Sequence, residues 1–214
     1  MDLKQDRAKQ LGALIKRLRI HVARRTLTKK RIADAIDTLH KLGHKYKDAT
    51  FPPLATIYSG VNAKKPSPTT LAEALLWKLV RWKPYKTFLR HYAQTNSAPG
   101  TTDIVFYAFA QHLKDREIPI FDQHAFRALW AISVFSKEQE ELCKRFLISG
   151  KNEWKDSGTG KTGPACYQLF LGHMARLGTN KGSTGDLDKL LMPLGEALKK
   201  YSKTYEEFIQ LCGR

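Results

Sequence analysis

The sequence predicts an all-α protein, and three observations lead to this fold class. Apolar residues recur at intervals of three and four, the spacing that places them on one face of a helix. Glycine, proline or a capping residue bounds most of these stretches. No stretch shows the sustained alternation of apolar and polar residues that predicts a β-strand. A chain of 214 residues can bury a sizeable core, as one domain or as two lobes.

Two amphipathic helices are predicted at the N-terminal end. The first has an apolar stripe, with lysine and arginine on its other faces, made by Leu11, Leu14, Ile15, Leu18 and Val22. The second ends at Gly43 and has a shorter stripe made by Ile32, Ile36, Leu39 and Leu42. Residues 44–68 are irregular and contain several prolines, which indicates a long connection or a boundary between lobes.

The middle of the chain predicts three further helices. Ser67 and Pro68 cap one that carries Leu71, Leu75, Leu76, Leu79 and Val80. Pro84 starts the next, which carries Tyr85, Phe88, Leu89 and Tyr92. A short turn, Pro99-Gly100-Thr101-Thr102, leads to the stretch from Ile104 to Leu113. Because that stretch is apolar on nearly all sides, we expect a central helix.

The C-terminal part is also predicted to be helical. Ser136 and Gln139 form a capping-box pattern that opens one helix, and another runs from Pro164 to Leu177. Glycine-rich loops are expected at 150–163 and 179–185. Residues 186–212 are helical by pattern, and we expect a kink or a split at Pro193.

The charge favours a polyanionic partner. Lys and Arg total 37 against 20 Asp and Glu, which gives a formal charge of +17. Nucleic acid is the favoured partner, because each phosphate contact releases condensed counterions. A generally basic surface, a ribosome-associated protein and an anionic membrane are the alternatives. No run approaches the roughly 18 apolar residues of a membrane span, and no signal-peptide core is present.

The three cysteines (Cys143, Cys166 and Cys212) are too few and too scattered for a disulfide framework or a four-cysteine iron–sulfur cluster. We expect each to be a small core residue of a protein in a reducing cytoplasm. No metal or other cofactor is predicted. The segment Gly158 to Thr162 resembles a phosphate-binding loop, but position 155 is Lys and no strand precedes it, so nucleotide binding is not predicted.

The most informative segment is Pro119-Ile120-Phe121-Asp122, where an extended apolar stretch becomes a helix carrying Phe126, Arg127 and Leu129. Asp122 lies 19 positions after Asp103, which follows the Pro99-Gly100 turn. Over about residues 68–136 this arrangement resembles the helix-hairpin-helix DNA glycosylase superfamily, in its adenine and 8-oxoguanine versions. Two departures stand out. The turn lacks the second glycine, and the slot where bifunctional members have lysine holds Asp103 or Ile104, depending on the register.

The resemblance implies a two-lobed all-α fold with a central cleft that binds double-stranded DNA. Residues 1–67 would form an N-terminal helical segment and connection, 68–136 the catalytic core, and 137–214 the helices that complete the second lobe. A modified base would be flipped out and cleaved from its sugar with Asp122 as the catalytic residue. The expected DNA contacts are Pro99, Gly100, Thr101, Thr102, His124 and Arg127. The expected base pocket consists of Trp77, Lys78, Arg81 and Trp82. We expect a monomer that leaves an abasic site in an intact strand.

Simpler interpretations exist for each of these features. Aspartate is common at ordinary helix N-caps, so Asp122 could have only that role. The Pro99-Gly100 turn could be an ordinary connection between two helices. The tryptophans and lysines before it fit an amphipathic helix. The alternative function is therefore a non-catalytic basic DNA-binding protein that uses the hairpin as a phosphate clamp. The sequence does not select the excised base, nor does it choose between DNA repair and defence against phage DNA with hypermodified bases.

Overall fold

A computed structural model describes most of the chain, and the described residues form ten α-helices and no β-strand. The described ranges are 3–46, 71–93, 103–115, 117–155, 160–177 and 184–214. The helices are α1 (Leu3–Ala23), α2 (Lys29–Lys41), α3 (Leu71–Lys78), α4 (Trp82–Ala93), α5 (Ile104–Lys114), α6 (Gln123–Ile132), α7 (Lys137–Leu147), α8 (Gly163–Leu177), α9 (Thr184–Tyr201) and α10 (Tyr205–Cys212). The predicted all-α class is confirmed.

Helix α6 lies at the centre of the hydrophobic core. All of its residues from Ala125 to Ile132 are buried. It packs most extensively on α9 and also contacts α1, α7 and α8. One continuous core combines residues from all three predicted segments, for example Ile15, Leu129 and Leu194. The two-lobed arrangement with a central cleft stays a prediction.

Most predicted helices are present with the expected capping. The stripe of α1 is buried at Leu11, Leu14, Ile15 and Leu18. Helix α2 is followed by Gly43 in a left-handed conformation with φ of 89°, as the predicted stop requires. Ser136 and Gln139 form the predicted capping box at the start of α7. The cysteines are all buried, as expected of core residues.

Two expectations are corrected. The C-terminal helical stretch does divide, but α9 continues through Pro193 and the break lies at 202–204. There the Thr204 side chain caps α10 in a capping box with Glu207, which defines a new helix start. The helix predicted to carry Leu79 and Val80 also ends earlier, because α3 stops at Lys78, and Leu71 and Leu75 are 89% and 58% exposed.

Several predicted features lie outside the described residues. They include the cap at Ser67 and Pro68, almost all of the connection at 44–68, and the turn from Pro99 to Thr102. Among the helices that are described, none has the length and apolar character needed to cross a membrane.

Candidate functional site

Asp122 is the N-cap of α6, where extended backbone meets the first helical turn. Its backbone has φ −147° and ψ −176°, and its Oδ1 accepts a hydrogen bond from the Ala125 N–H at 2.7 Å. The residues on either side of the cap, Phe121 and Phe126, pack together with ring centroids 5.7 Å apart. This contact is the hydrophobic staple that fixes the direction in which a chain enters a helix. Asp122 remains partly exposed.

An aromatic cluster anchors the residue that precedes Asp122. The Phe121 ring is fully buried. Its centroid lies 5.3 Å from that of Tyr167, 5.3 Å from that of Phe170 and 5.7 Å from that of Phe146. Edge-on and tilted contacts at these distances stabilise a core beyond the area that they bury. The Asp122 backbone is therefore held next to a cluster of buried aromatic rings.

Two side-chain hydrogen bonds hold the extended segment before Asp122. His112 Nδ1 donates to the Ile118 carbonyl at 2.7 Å. The Ile120 N–H donates to Asp188 Oδ2 at 3.2 Å. Extended backbone outside a sheet needs such partners when it is buried. The segment is thus fixed from α5 on one side and from α9 on the other.

Helix α9 approaches the start of α6 very closely at Gly195. A Cβ atom built on Gly195 would lie 2.6 Å from His124 Cα and closer still to the His124 carbonyl group. Only glycine allows this separation between the two helices. Asp188 and Gly195 lie two turns apart on α9, on the same face. That face therefore contacts the main chain on both sides of Asp122.

Asp188 is a second carboxyl group beside Asp122. It is only 4% exposed, and its Oδ1 atom has no hydrogen-bond partner within the described ranges. Burial raises the pKa of Asp188 to about 7; the Ile120 N–H opposes this shift and the negative charge of Asp122 adds to it. Asp188 therefore keeps its proton at pH values where an ordinary aspartate has lost it.

Burial also raises the pKa of Asp122, and several neighbouring groups act against this shift. The N–H groups of Ala125 and His124 and the positive charges of His124 and Arg127 all favour the carboxylate. The pKa values of both carboxyl groups are therefore raised by burial, and the Asp122 charge raises that of Asp188 further. Burial therefore acts against the stabilisation of the carboxylate by the N-terminus of α6.

Arg127 does not lie at the surface, and the expectation that it contacts DNA is corrected. Its side chain is completely buried, with the guanidinium carbon 4.2 Å from the centroid of the Trp154 ring. Nη1 donates to the Gly195 carbonyl at 3.2 Å and lies 3.3 Å from His124 Nδ1. Burial lowers the pKa of Arg127 to about 10, against the opposing effect of Asp122. Arg127 is an internal cation that joins α6 to α9. His124 is partly exposed, and its DNA contact stays a prediction.

Asp103 precedes α5 but does not cap it with its side chain. Its Oδ2 accepts hydrogen bonds from Arg90 Nη2 and His91 Nε2, both at 2.8 Å. The carboxylate is therefore occupied by the two groups of α4, and α4 is joined to α5. Ile104, the other candidate for the same slot, is fully buried in the core.

The residues predicted to form the base pocket lie where α3 meets α4. Trp77 is 60% exposed, and Lys78 and Arg81 are also exposed. Trp82 is partly buried, with its ring centroid 5.6 Å from that of Tyr85. Helix α4 packs on α5, whereas the partners of α6 are α1, α7, α8 and α9. The structure thus joins Asp122, His124 and Arg127, and places the tryptophans on a different pair of helices.

Sequence reasoning missed the contributions of α9. Asp188 is an acid next to the core leucines Leu187, Leu190 and Leu191, and an acid so close to a buried stripe was the available signal. Gly195 follows seven positions later, inside a helix where glycine is unfavourable unless another backbone approaches. Neither residue could be connected to Asp122 without knowing that α9 packs on α6.

The comparisons with known proteins identify no relative of this chain. The chain matches no family model, and no curated protein or solved structure is significantly similar to it. The site is therefore described by its own geometry. It presents one carboxyl group at a helix N-terminus, partly open to solvent, with a second carboxyl group buried behind it.

Proposed function

We propose that the protein is a monofunctional DNA glycosylase that hydrolyses the bond between a flipped-out modified base and its sugar. The observation that carries this proposal is the Asp122 carboxylate, fixed at the N-terminus of α6 and partly exposed. A sugar that loses its base develops positive charge at C1′, and an anion held beside it lowers the barrier. The formal charge of +17 supports a DNA partner.

The reaction needs only water as the second substrate. The bond between C1′ and the base nitrogen breaks, and its electron pair leaves with the base, which takes a proton from solvent. Water then forms the new bond to C1′ and transfers a proton to Asp122, which acts as the base. Rigid placement matters in such a step, because a displaced carboxylate no longer faces the charge that develops. The staple at Phe121 and the close contact at Gly195 supply that rigidity.

Asp188 supports this role from behind the site. While Asp188 is protonated, it adds no second negative charge beside Asp122, and its Oδ2 accepts the hydrogen bond from the Ile120 N–H. We expect Asp188 to position the Ile120–Asp122 segment without touching the substrate, because it is buried.

The absence of an amine at the candidate slot supports hydrolysis by water over a Schiff-base mechanism. Asp103 is bound to Arg90 and His91, and Ile104 is in the core. A bifunctional glycosylase attacks C1′ with an amine and then nicks the strand. Neither residue provides that amine, so an intact strand with an abasic site is the expected product.

One observation favours the alternative, a non-catalytic DNA-binding protein. The hydrogen bond from Ala125 to Asp122 is the bond that any N-cap aspartate makes. If this is the whole role of Asp122, the protein would bind DNA through its basic surface and release no base.

The test is a screen for base release over duplexes that carry damaged, mismatched or phage-type modified bases. We expect strand cleavage for at least one substrate only after alkali or an abasic-site endonuclease, with no borohydride-trapped adduct. A trapped complex that maps to Lys78 or Lys83 would overturn the monofunctional mechanism. Tight binding without release of any base would favour the alternative.

A further inference from the structure

More than half of the net positive charge of the chain lies in its first two helices. Residues 3–46 contain 13 Lys and Arg against 3 Asp, a net charge of +10 out of +17. Five of the eight residues at the turn between α1 and α2 are exposed cations: Arg24, Arg25, Lys29, Lys30 and Arg31. Within the described ranges none of these five side chains forms an ion pair. The turn is therefore a dense and uncompensated positive surface.

The stability of the helices does not explain this charge. A helix N-terminus carries partial positive charge, so acidic residues stabilise the first turn and basic residues oppose it. Helix α2 has no acidic residue in its first turn and begins with Lys29, Lys30 and Arg31. Just after α1, Arg25 has φ of 54°, in the left-handed region that favours glycine. Cations at these positions cost stability, which indicates that they bind an anion.

A half-enclosed cavity lies between α1 and α2, beside this turn. Its volume is about 140 Å³. Its apolar floor consists of the buried side chains of Leu14, Leu18 and Ala35. The polar residues of its walls are Arg17, His21, Arg31, Asp34 and Thr38. Sites for whole cofactors enclose roughly 300–1,000 Å³, so this cavity fits one small group of a larger ligand.

Positive charge converges on His21 in the wall of the cavity. Burial lowers the pKa of His21, and three guanidinium groups lower it further: Arg31, Arg24 and Arg17. Arg31 is held in place, because its Nη1 donates to the Thr26 carbonyl. His21 Nδ1 lies 3.1 Å from Thr26 Oγ1. Asp34 is the single acid among the described lining residues. An anionic group in the cavity would therefore meet an excess of positive charge.

A phosphate at the end of a nucleic-acid strand has the matching chemistry. A phosphate monoester carries a charge of about −1.5 to −2 at pH 7 and has three strong acceptor oxygens, and a guanidinium binds phosphate through two parallel hydrogen bonds. A phosphate inside a strand is joined to a sugar on both sides, which keeps it out of a half-enclosed cavity. A membrane surface fits less well. The only apolar residue between Arg24 and Arg31, Leu27, is buried and cannot insert into lipid.

We propose that the cavity between α1 and α2 binds the terminal phosphate of a nucleic-acid strand through Arg17 and Arg31, while the exposed cations of the turn contact the adjoining phosphates. The site lies outside residues 68–136, on which the glycosylase resemblance rests. Helix α2 packs on α1 and α9, which in turn pack on α6, so the cavity is separate from Asp122. The proposal shares a nucleic-acid partner with the proposed function but does not depend on base excision.

The test measures by fluorescence anisotropy the affinity for one short duplex with a 5′-phosphate, with a 3′-phosphate or with hydroxyl ends only. We expect the wild type to bind one of the phosphorylated forms about tenfold more tightly than the hydroxyl form, the scale of one hydrogen bond to a charged group. Arg17→Gln and Arg31→Gln should remove most of this preference. Asp34→Asn should increase it several-fold, because it removes the acid of the cavity.

Arg145→Gln is the matched control, because it removes the same charge from an exposed position on α7. It should keep the preference for a phosphorylated end. Asp34 is exposed as well, so Asp34→Asn tests the cavity even if an arginine variant fails to fold. An unchanged or smaller preference in Asp34→Asn would count against the site.

Several other results would overturn the terminal-phosphate site. These are equal wild-type affinity for phosphorylated and hydroxyl ends, a preference that survives in both arginine variants, or an equal loss in Arg145→Gln. A rise in Tm with inorganic phosphate that no duplex displaces would assign the cavity to a free anion. Binding to vesicles of phosphatidylcholine and phosphatidylserine without binding to duplex would assign the turn to a membrane. End preference in a protein that excises no base would leave this site standing and refute the glycosylase proposal, and base release without end preference would do the reverse.

Discussion

Gly195 of α9 lies directly against the main chain of His124, so the two helices meet backbone to backbone at the first turn of α6. The Gly195 carbonyl also accepts a hydrogen bond from Arg127, one turn further along α6. If α9 moved toward this turn, its backbone would clash with that of His124. If it moved away, the hydrogen bond from Arg127 to Gly195 would break. The position of Asp122, the N-cap of the same turn, therefore depends on a residue 73 positions away in the chain.

We expect Gly195→Ala to destabilise the protein by about 3 kcal/mol or more, because the new methyl group overlaps the His124 backbone. Thermal or urea unfolding measures the loss. The matched control is Gly172→Ala in α8, where an added Cβ has no atom within 4 Å. That change should stabilise by about 0.5–1 kcal/mol through helix propensity. Equal stability of the two variants would show that α9 does not contact α6 as described.

Asp188 should make stability depend on pH. Its pKa of about 7 in the folded state exceeds the value of about 3.9 for an unfolded chain. The group therefore stabilises the fold fully below about pH 4, and this contribution is lost as the pH rises to about 7. Asp188→Asn does not titrate, so its free energy of unfolding relative to wild type should increase between pH 4 and pH 8.

The free energy of unfolding of Asp188→Asn relative to wild type should increase by a few kcal/mol, at about 1.4 kcal/mol for each unit of pKa shift. Urea unfolding at several pH values measures it, and groups that do not interact with Asp188 cancel in the difference. A difference that is constant across this pH range would mean that Asp188 titrates as an ordinary exposed carboxyl group.

Substitution of Arg127 should affect folding and leave the salt dependence of DNA binding unchanged. The guanidinium is stacked on Trp154 inside the protein, so Arg127→Ala should cost about 3 kcal/mol by analogy with other large-to-small core changes. Arg127→Met keeps most of the volume and should cost less. If Arg127→Met instead reduces the slope of log K against log salt by about one, Arg127 contacts a phosphate after all.

Duplex binding by the wild-type protein should weaken steeply with salt. Each neutralised phosphate contributes about 0.9 to the slope of log K against log salt, and the charge of +17 leads us to expect several such contacts. Fluorescence anisotropy with an unmodified duplex between 50 and 300 mM salt, about the range in which such effects are measured, gives the slope. A slope near zero would exclude a phosphate-binding surface.

The local parts of this structure could be predicted from the sequence. The helices α1, α2, α7 and α8 follow from apolar spacing and from caps such as Ser136, because these signals act within a few residues. The N-cap role of Asp122 is also a local feature that the sequence predicts. Its capping bond to Ala125 spans only three positions.

The parts that depend on distant contacts could not be predicted. Nothing in the chain places Asp188 beside Ile120 or Gly195 beside His124, since both contacts join residues about seventy positions apart. For the same reason the sequence predicts a DNA contact for Arg127 and does not reveal its burial, because its partner Trp154 lies in a different part of the chain. Helix α9 continues through Pro193, although a proline removes one helical hydrogen bond and crowds the preceding turn, and the break lies instead where the capping box at Thr204 defines a new helix start.

The most direct test of the central claim is the single-turnover rate of base release by Asp122→Asn, measured together with its affinity for the same DNA. Asparagine keeps the shape and the capping bond of Asp122 but removes the negative charge. We predict that base release falls by at least about 100-fold, the scale of one lost electrostatic contact in a transition state. DNA affinity and the circular dichroism spectrum should not change. Base release by Asp122→Asn at the wild-type rate would contradict the catalytic role of Asp122.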